Sequence, residues 1–142
     1  MTTRLLLAAT FFGAMTTAHA QSRLLHAGPL FAQAGASSMF CNISNVGGAP
    51  VTIDVFHVRD RNGNAIENFN TCSAALPQSN VLPVGRACSI AVVGAPGSLK
   101  NELVTCDVIV TTTQVGGSPS VSGTLDARNA DSTNLLYVVP LQ

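Results

Sequence analysis

From Leu24 to the end of the chain, apolar residues recur at every second position in short runs, and each run stops at Gly, Pro, Asn or Ser. A period of two sends alternate side chains to opposite faces of a strand, so the pattern predicts seven or eight strands in a sandwich or barrel. Leu24 to Leu30 opens the series. Its Gly28 and Pro29 assign it to a sheet edge, because proline removes a ladder donor. In Ser38 to Asn45, the residues Met39, Cys41 and Ile43 share the core face, with Phe40, Asn42 and Ser44 on the other. After the turn at Val46 to Pro50, Val51, Ile53 and Val55 alternate with Thr52, Asp54 and Phe56 as far as Arg59. Asn62-Gly63 predicts a hairpin with Ala65 to Phe69 as its return arm. Arg86 to Val93 carries an inner row of Cys88, Ile90 and Val92. Glu102 to Thr113 is the longest run, with Val104, Cys106, Val108 and Val110 inward and Thr105, Asp107, Ile109 and Thr111 outward. Val121, Gly123 and Leu125 form a further inner row, and Leu135 to Leu141 closes the series.

The first twenty residues follow a different rule. Arg4 precedes an apolar run from Leu5 to Met15, and Ala18-His19-Ala20 places small residues where signal peptidase requires them. Residues 1–20 therefore read as a signal peptide, too short for a membrane span, whose removal leaves Gln21 first. The remainder, Gln21 to Gln142, has about the modal length of one domain. Without Arg4 it holds six basic and seven acidic residues, a net charge of −1, which leaves no basic footprint for nucleic acid. The scarcity of charge beside abundant Val, Thr, Ser, Gly and Asn agrees with an all-β class.

Four cysteines in an exported chain predict disulfides, and three pairings are possible. Cys41 and Cys106 lie mid-strand on inward rows, as in the inter-sheet bridge of immunoglobulin-like sandwiches. Cys72 and Cys88 flank a Pro/Gly-rich loop that a bridge would staple. These placements favour Cys41 with Cys106 and Cys72 with Cys88. No C-x-x-C pair suggests a zinc site, and no cofactor is expected.

The run Phe40-Cys41-Asn42-Ile43-Ser44-Asn45-Val46-Gly47, the strand Val51-Thr52-Ile53 with Arg61-Asn62-Gly63, the block from Thr71-Cys72-Ser73 to Leu82-Pro83-Val84-Gly85-Arg86-Ala87-Cys88, and the ending Val138-Val139-Pro140-Leu141-Gln142 resemble a group of small exported bacterial proteins with no assigned function. The resemblance implies a disulfide-linked, immunoglobulin-like antiparallel β-sandwich and carries no catalytic or binding residue across. The chain departs from true immunoglobulin domains: it has no Trp, and Val104 stands where the tyrosine-corner residue would precede Cys106.

The chemistry-bearing residues do not converge in the sequence. His26 falls on the edge strand, and His57 follows the inward row of Val51, Ile53 and Val55 as a half-buried structural imidazole. There is no G-x-S-x-G elbow, and Asp60, Asn62 and Asn64 fit a turn better than a calcium loop. Asn42-Ile43-Ser44 matches a glycosylation sequon but lies within a strand. Should the strand from Val51 pair with that from Glu102, Asp54, Phe56 and Val58 would lie outward near Asp107 and Ile109, an exposed aromatic suited to anchor a protein contact. The expectation is a non-catalytic interaction or structural module, periplasmic or extracellular, whose partner is another envelope or extracellular protein. The alternatives are an enzyme or enzyme accessory with a site on the loops Asn68 to Val84 or Gln114 to Ser120, and a pilus-type subunit that donates a strand. Gly28 and Pro29 count against the last, since they interrupt the alternation of the N-terminal arm.

Overall fold

The computed structural model describes residues 20–31, 36–72, 80–94, 99, 102–112, 118–129 and 135–142. Residues 1–19 of the expected signal peptide lie outside them, as do residues 73–79 and 114–117 of the two loops considered above. The described residues form nine strands: β1 (Gln21–Phe31), β2 (Ser38–Asn45), β3 (Val51–Arg59), β4 (Phe69–Asn70), β5 (Val81–Leu82), β6 (Ala87–Val93), β7 (Leu103–Thr112), β8 (Val121–Arg128) and β9 (Leu135–Pro140). They assemble into two antiparallel sheets, β1-β7-β3-β5 and β4-β6-β2-β8-β9. The fold is an all-β sandwich with two disulfides, as the alternation predicts.

The core lies between the sheets and is built from the expected inner rows. Met39, Cys41 and Ile43 of β2 are fully buried, as are Val104, Cys106, Val108 and Val110 of β7. Cys41 and Cys106 are bonded across the core, with Cα atoms 6.1 Å apart, and Cys72 is bonded to Cys88 with Cα atoms 4.9 Å apart. In the loop-entropy account, their sequence separations of 65 and 16 make the two bridges worth roughly 4 and 3 kcal/mol. Domains have net stabilities of about 5–15 kcal/mol, so bridges of this size weigh heavily.

β1 occupies the expected edge, and its strict alternation is interrupted at Gly28 and Pro29 as expected. A bulge between Ala27 and Leu30 absorbs Gly28 and Pro29, so Leu25, Ala27 and Leu30 all reach the core. Gly28 has φ +117°, and a Cβ there would sit 3.0 Å from the Val104 carbonyl oxygen, so both conformation and space require glycine. The interruption expected at Gly28 and Pro29 is thus present as a bulge, and beyond it Leu30 is again in phase with the core.

The predicted hairpin after β3 is reduced to one bridge, Arg59 with Ala65, and Phe69–Asn70 pairs with β6 in the opposite sheet. The cause is local hydrogen bonding. The Asn68 side chain accepts from the Val93 N–H and donates to its carbonyl, and the Thr71 hydroxyl does the same at Ser89. These side chains supply ladder bonds that carry the segment away from β3 and onto β6.

The strand order also departs from an immunoglobulin constant domain. The central pairings β2 with β6 and β3 with β7 match the B–E and C–F pairs of that architecture. The strand that follows β7 in sequence does not lie beside it: β8 pairs with β2, and β1 takes the place next to β7.

Candidate functional site

The outer face of the sheet β1-β7-β3 carries the densest set of functional side chains among the described residues. Its composition depends on a second bulge, between Ile53 and Val55 of β3. Val51 and Ile53 point into the core, the extra residue reverses the phase, and Phe56 and Val58 then take the inward positions. Val58 is 0% exposed and Phe56 packs against the core. This corrects the expected contact set. Phe56 and Val58 are core residues, while Asp54, Asp107 and Ile109 are on the outer face, where Val55 and His57 join them.

Two rows cross this face. In one, Leu24 of β1 is opposite Ile109 of β7, which is opposite Val55 of β3. Leu24 is 63% exposed, and the other two are half-buried. In the next row, Asp107 stands between His26 and His57. His26 Nδ1 lies 2.7 Å from Asp107 Oδ1, and Arg59 Nε donates to Asp107 Oδ2 at 3.0 Å. His57 Nδ1 lies 2.7 Å from Glu67 Oε1, and the Val58 N–H donates to Oε2 at 3.3 Å. Burial raises the Glu67 pKa, but the His57 hydrogen bond, the Glu67 and Val58 backbone donors and the charge of His57 outweigh it, so the carboxyl titrates below its ordinary range. Beyond the apolar row, Thr111 donates to Asp54 at 2.9 Å. His57 therefore faces outward, not inward as its place after Val55 suggests.

These ionic groups hold one another in fixed positions. His26 with Asp107 and His57 with Glu67 are thus two imidazole–carboxylate pairs, each 2.7 Å apart. At the end of β3, Asp60 accepts from the Asn62 and Asn64 N–H groups at 2.8 Å and from the Asn64 side chain at 3.1 Å. The Asn64 side chain, and then its N–H, holds the Asp60 carboxyl below the ordinary range. That carboxylate closes a turn.

A second cluster, on the outer face of the five-stranded sheet, is not anticipated by the sequence reading. Asp126 is 3% exposed although its side chain points away from the core. It accepts from Asn42 at 2.7 Å and from Arg128 Nε at 2.8 Å. Asn42 in turn accepts from Ser89 at 2.6 Å. The Arg128 guanidinium lies 4.4 Å from the centre of the Phe40 ring, and Phe69 meets Phe40 edge-on. The signal available in the sequence is the spacing Asp126-x-Arg128, which puts opposite charges on one face of a strand. The sequon residue Asn42 is thus a central member of a polar ladder, and its amide is engaged.

Comparison of the chain with protein-family models, with curated proteins and with solved structures returned no match.

Proposed function

We propose that this chain is a non-catalytic interaction module of an oxidising, exported environment, and that it contacts a protein partner through the outer face of β1-β7-β3. Two disulfides suit such an environment. No helix among the described residues is long and apolar enough to cross a membrane. The observation that carries the reading is the row Leu24, Ile109 and Val55, an apolar strip bordered by fixed ionic pairs. Interfaces place a desolvated apolar centre inside a polar rim, and a few central residues supply most of the affinity. Fully burying a leucine is worth about 1.5–3 kcal/mol.

Leu24→Asp tests this directly, because a side chain so exposed is not needed for folding. A photo-crosslinker at Leu24, with a control at Ser122 on the opposite sheet, is exposed to envelope extract and the captured species is identified by mass spectrometry. The expected result is one species captured from position 24, with its affinity for the intact domain reduced about 30-fold by Leu24→Asp, equivalent to about 2 kcal/mol. Equal capture from both positions, or binding unchanged by Leu24→Asp in a folded protein, rejects the reading.

A further inference from the structure

We propose that β1 is an exchangeable strand, and that two copies of this chain associate by each placing its β1 on the other's β7. The β7 edge has a demonstrated occupant, since β1 covers it from Gln21 opposite Thr112 to Phe31 opposite Leu103. The fit is specific. Leu25, Ala27 and Leu30 fill the core, and the bulge at Gly28 seats the strand against the Val104 and Thr105 backbone. Any β1, from the same chain or another, finds the same register there.

The placement of β1 also makes it separable. It is an edge strand, its ladder is with a segment some eighty residues away, and four residues, 32–35, join it to Ala36. On the other side of that short connection the chain is anchored, because the Ser37 N–H donates to the Arg128 carbonyl and the Ser37 carbonyl accepts from Gly94. Exchange of an identical element between copies is a low-cost route to a dimer, and an edge strand joined to an anchored segment is such an element. Exchange conserves every β1 contact, so concentration decides between one chain and two. The alternation restored by the bulge removes the objection that the arm cannot act as a complementing strand.

Ser22 and Thr111 provide the test. The His26 N–H and carbonyl both bond to Gln142, on the edge away from β7, so His26 and its same-parity neighbour Ser22 form non-hydrogen-bonded pairs with β7. Such pairs bring Cα atoms to about 4.5 Å, within disulfide range. Ser22→Cys and Thr111→Cys proteins are purified separately, mixed over a range of concentrations, incubated and oxidised. The expected product is a covalent dimer joining one variant to the other, with a yield that rises with concentration. The Ser22→Cys/Thr111→Cys double variant, prepared dilute, is expected to close the bond within one chain and to remain monomeric when concentrated. Closure in the double variant without any joined product from the mixed singles overturns the proposal, and failure of the double variant to close overturns the pairing on which it rests. Circular dichroism verifies each fold, and the pair Leu24→Cys with Ile109→Cys serves if Thr111→Cys does not fold.

Discussion

At Gly123 of β8 the five-stranded sheet leaves no room for a side chain. A Cβ at this position would collide with the Asn42 carbonyl oxygen of β2 and with Cδ1 of Leu141, and would press on Cγ2 of Ile43. Leu141 can swing aside, but the Asn42 carbonyl belongs to the central strand of its sheet and cannot. Gly123→Ala therefore forces the β2–β8 ladder apart and drives Leu141, which is buried, toward water. Overpacking of this kind costs about 1–3 kcal/mol, and partial exposure of a leucine adds to it from a full-burial value of about 1.5–3 kcal/mol. Against these, alanine reduces the freedom of the unfolded chain by about 0.4–1 kcal/mol. The net expectation is a loss of about 2 kcal/mol, or about 8 °C in Tm for a domain of this size. The assay is thermal and urea unfolding of Gly123→Ala beside Gly48→Ala, whose added methyl meets open space. Adding Leu141→Ala to Gly123→Ala is expected to cost less than the two separate losses combined, because one collision is then already removed. If Gly123→Ala is no less stable than Gly48→Ala, the packing argument is wrong.

The remaining predictions address the β3 bulge and the ionic row. Val58→Ala is expected to cost about 2 kcal/mol and Val55→Ala less than about 1, measured by urea unfolding; the reverse order would restore the unbulged register. The lowered pKa of Glu67 means that its contribution to stability is fully present above the ordinary carboxylate range and is lost as pH falls through its value in the folded protein. Unfolding titrations from pH 6 to pH 3 are expected to show a shallower acid loss for Glu67→Gln than for the unaltered chain, and equal slopes would contradict the His57–Glu67 coupling.

Much of this architecture was legible because its central strands are regular. β2, β6 and β7 keep strict alternation, so Cys41, Cys88 and Cys106 could be placed on inner rows and the disulfide pairing favoured from position alone. What could not be read were the places where one extra residue resets the phase. Between Ile53 and Val55 no glycine or proline marks the bulge, since Asp54 fits a regular strand equally well, and regular alternation therefore puts Val55, Phe56, His57 and Val58 on the wrong faces. The bulge at Gly28 and Pro29 was marked, but its effect was misjudged: it preserves the core register of β1. The strands β4 and β5 are two residues long, too short for any period, and are set by the side-chain amides of Asn68 and Asn80. The Asn80 side-chain amide donates to the Ile53 carbonyl at 2.6 Å, and the Asn80 backbone carbonyl accepts from the Ile53 N–H at 2.7 Å. The return of β8 to β2 depends on contacts across the whole chain and leaves no local trace. Of the candidate face, Asp54, Asp107 and Ile109 were identified, whereas Leu24, Val55 and the outward His57 required the observed register.

The Cys41–Cys106 bond joins β2, the middle strand of one sheet, to β7, an interior strand of the other. Its position gives the domain a riveted centre with loose margins. Tension or thermal fraying that peels away β1, β5 or β9 leaves the two interior strands fastened, while the Cys72–Cys88 bond keeps β4 beside β6, and the detached pieces retain a template on which to re-form. A domain built this way can detach and re-form its outer strands repeatedly without losing the framework that directs them back.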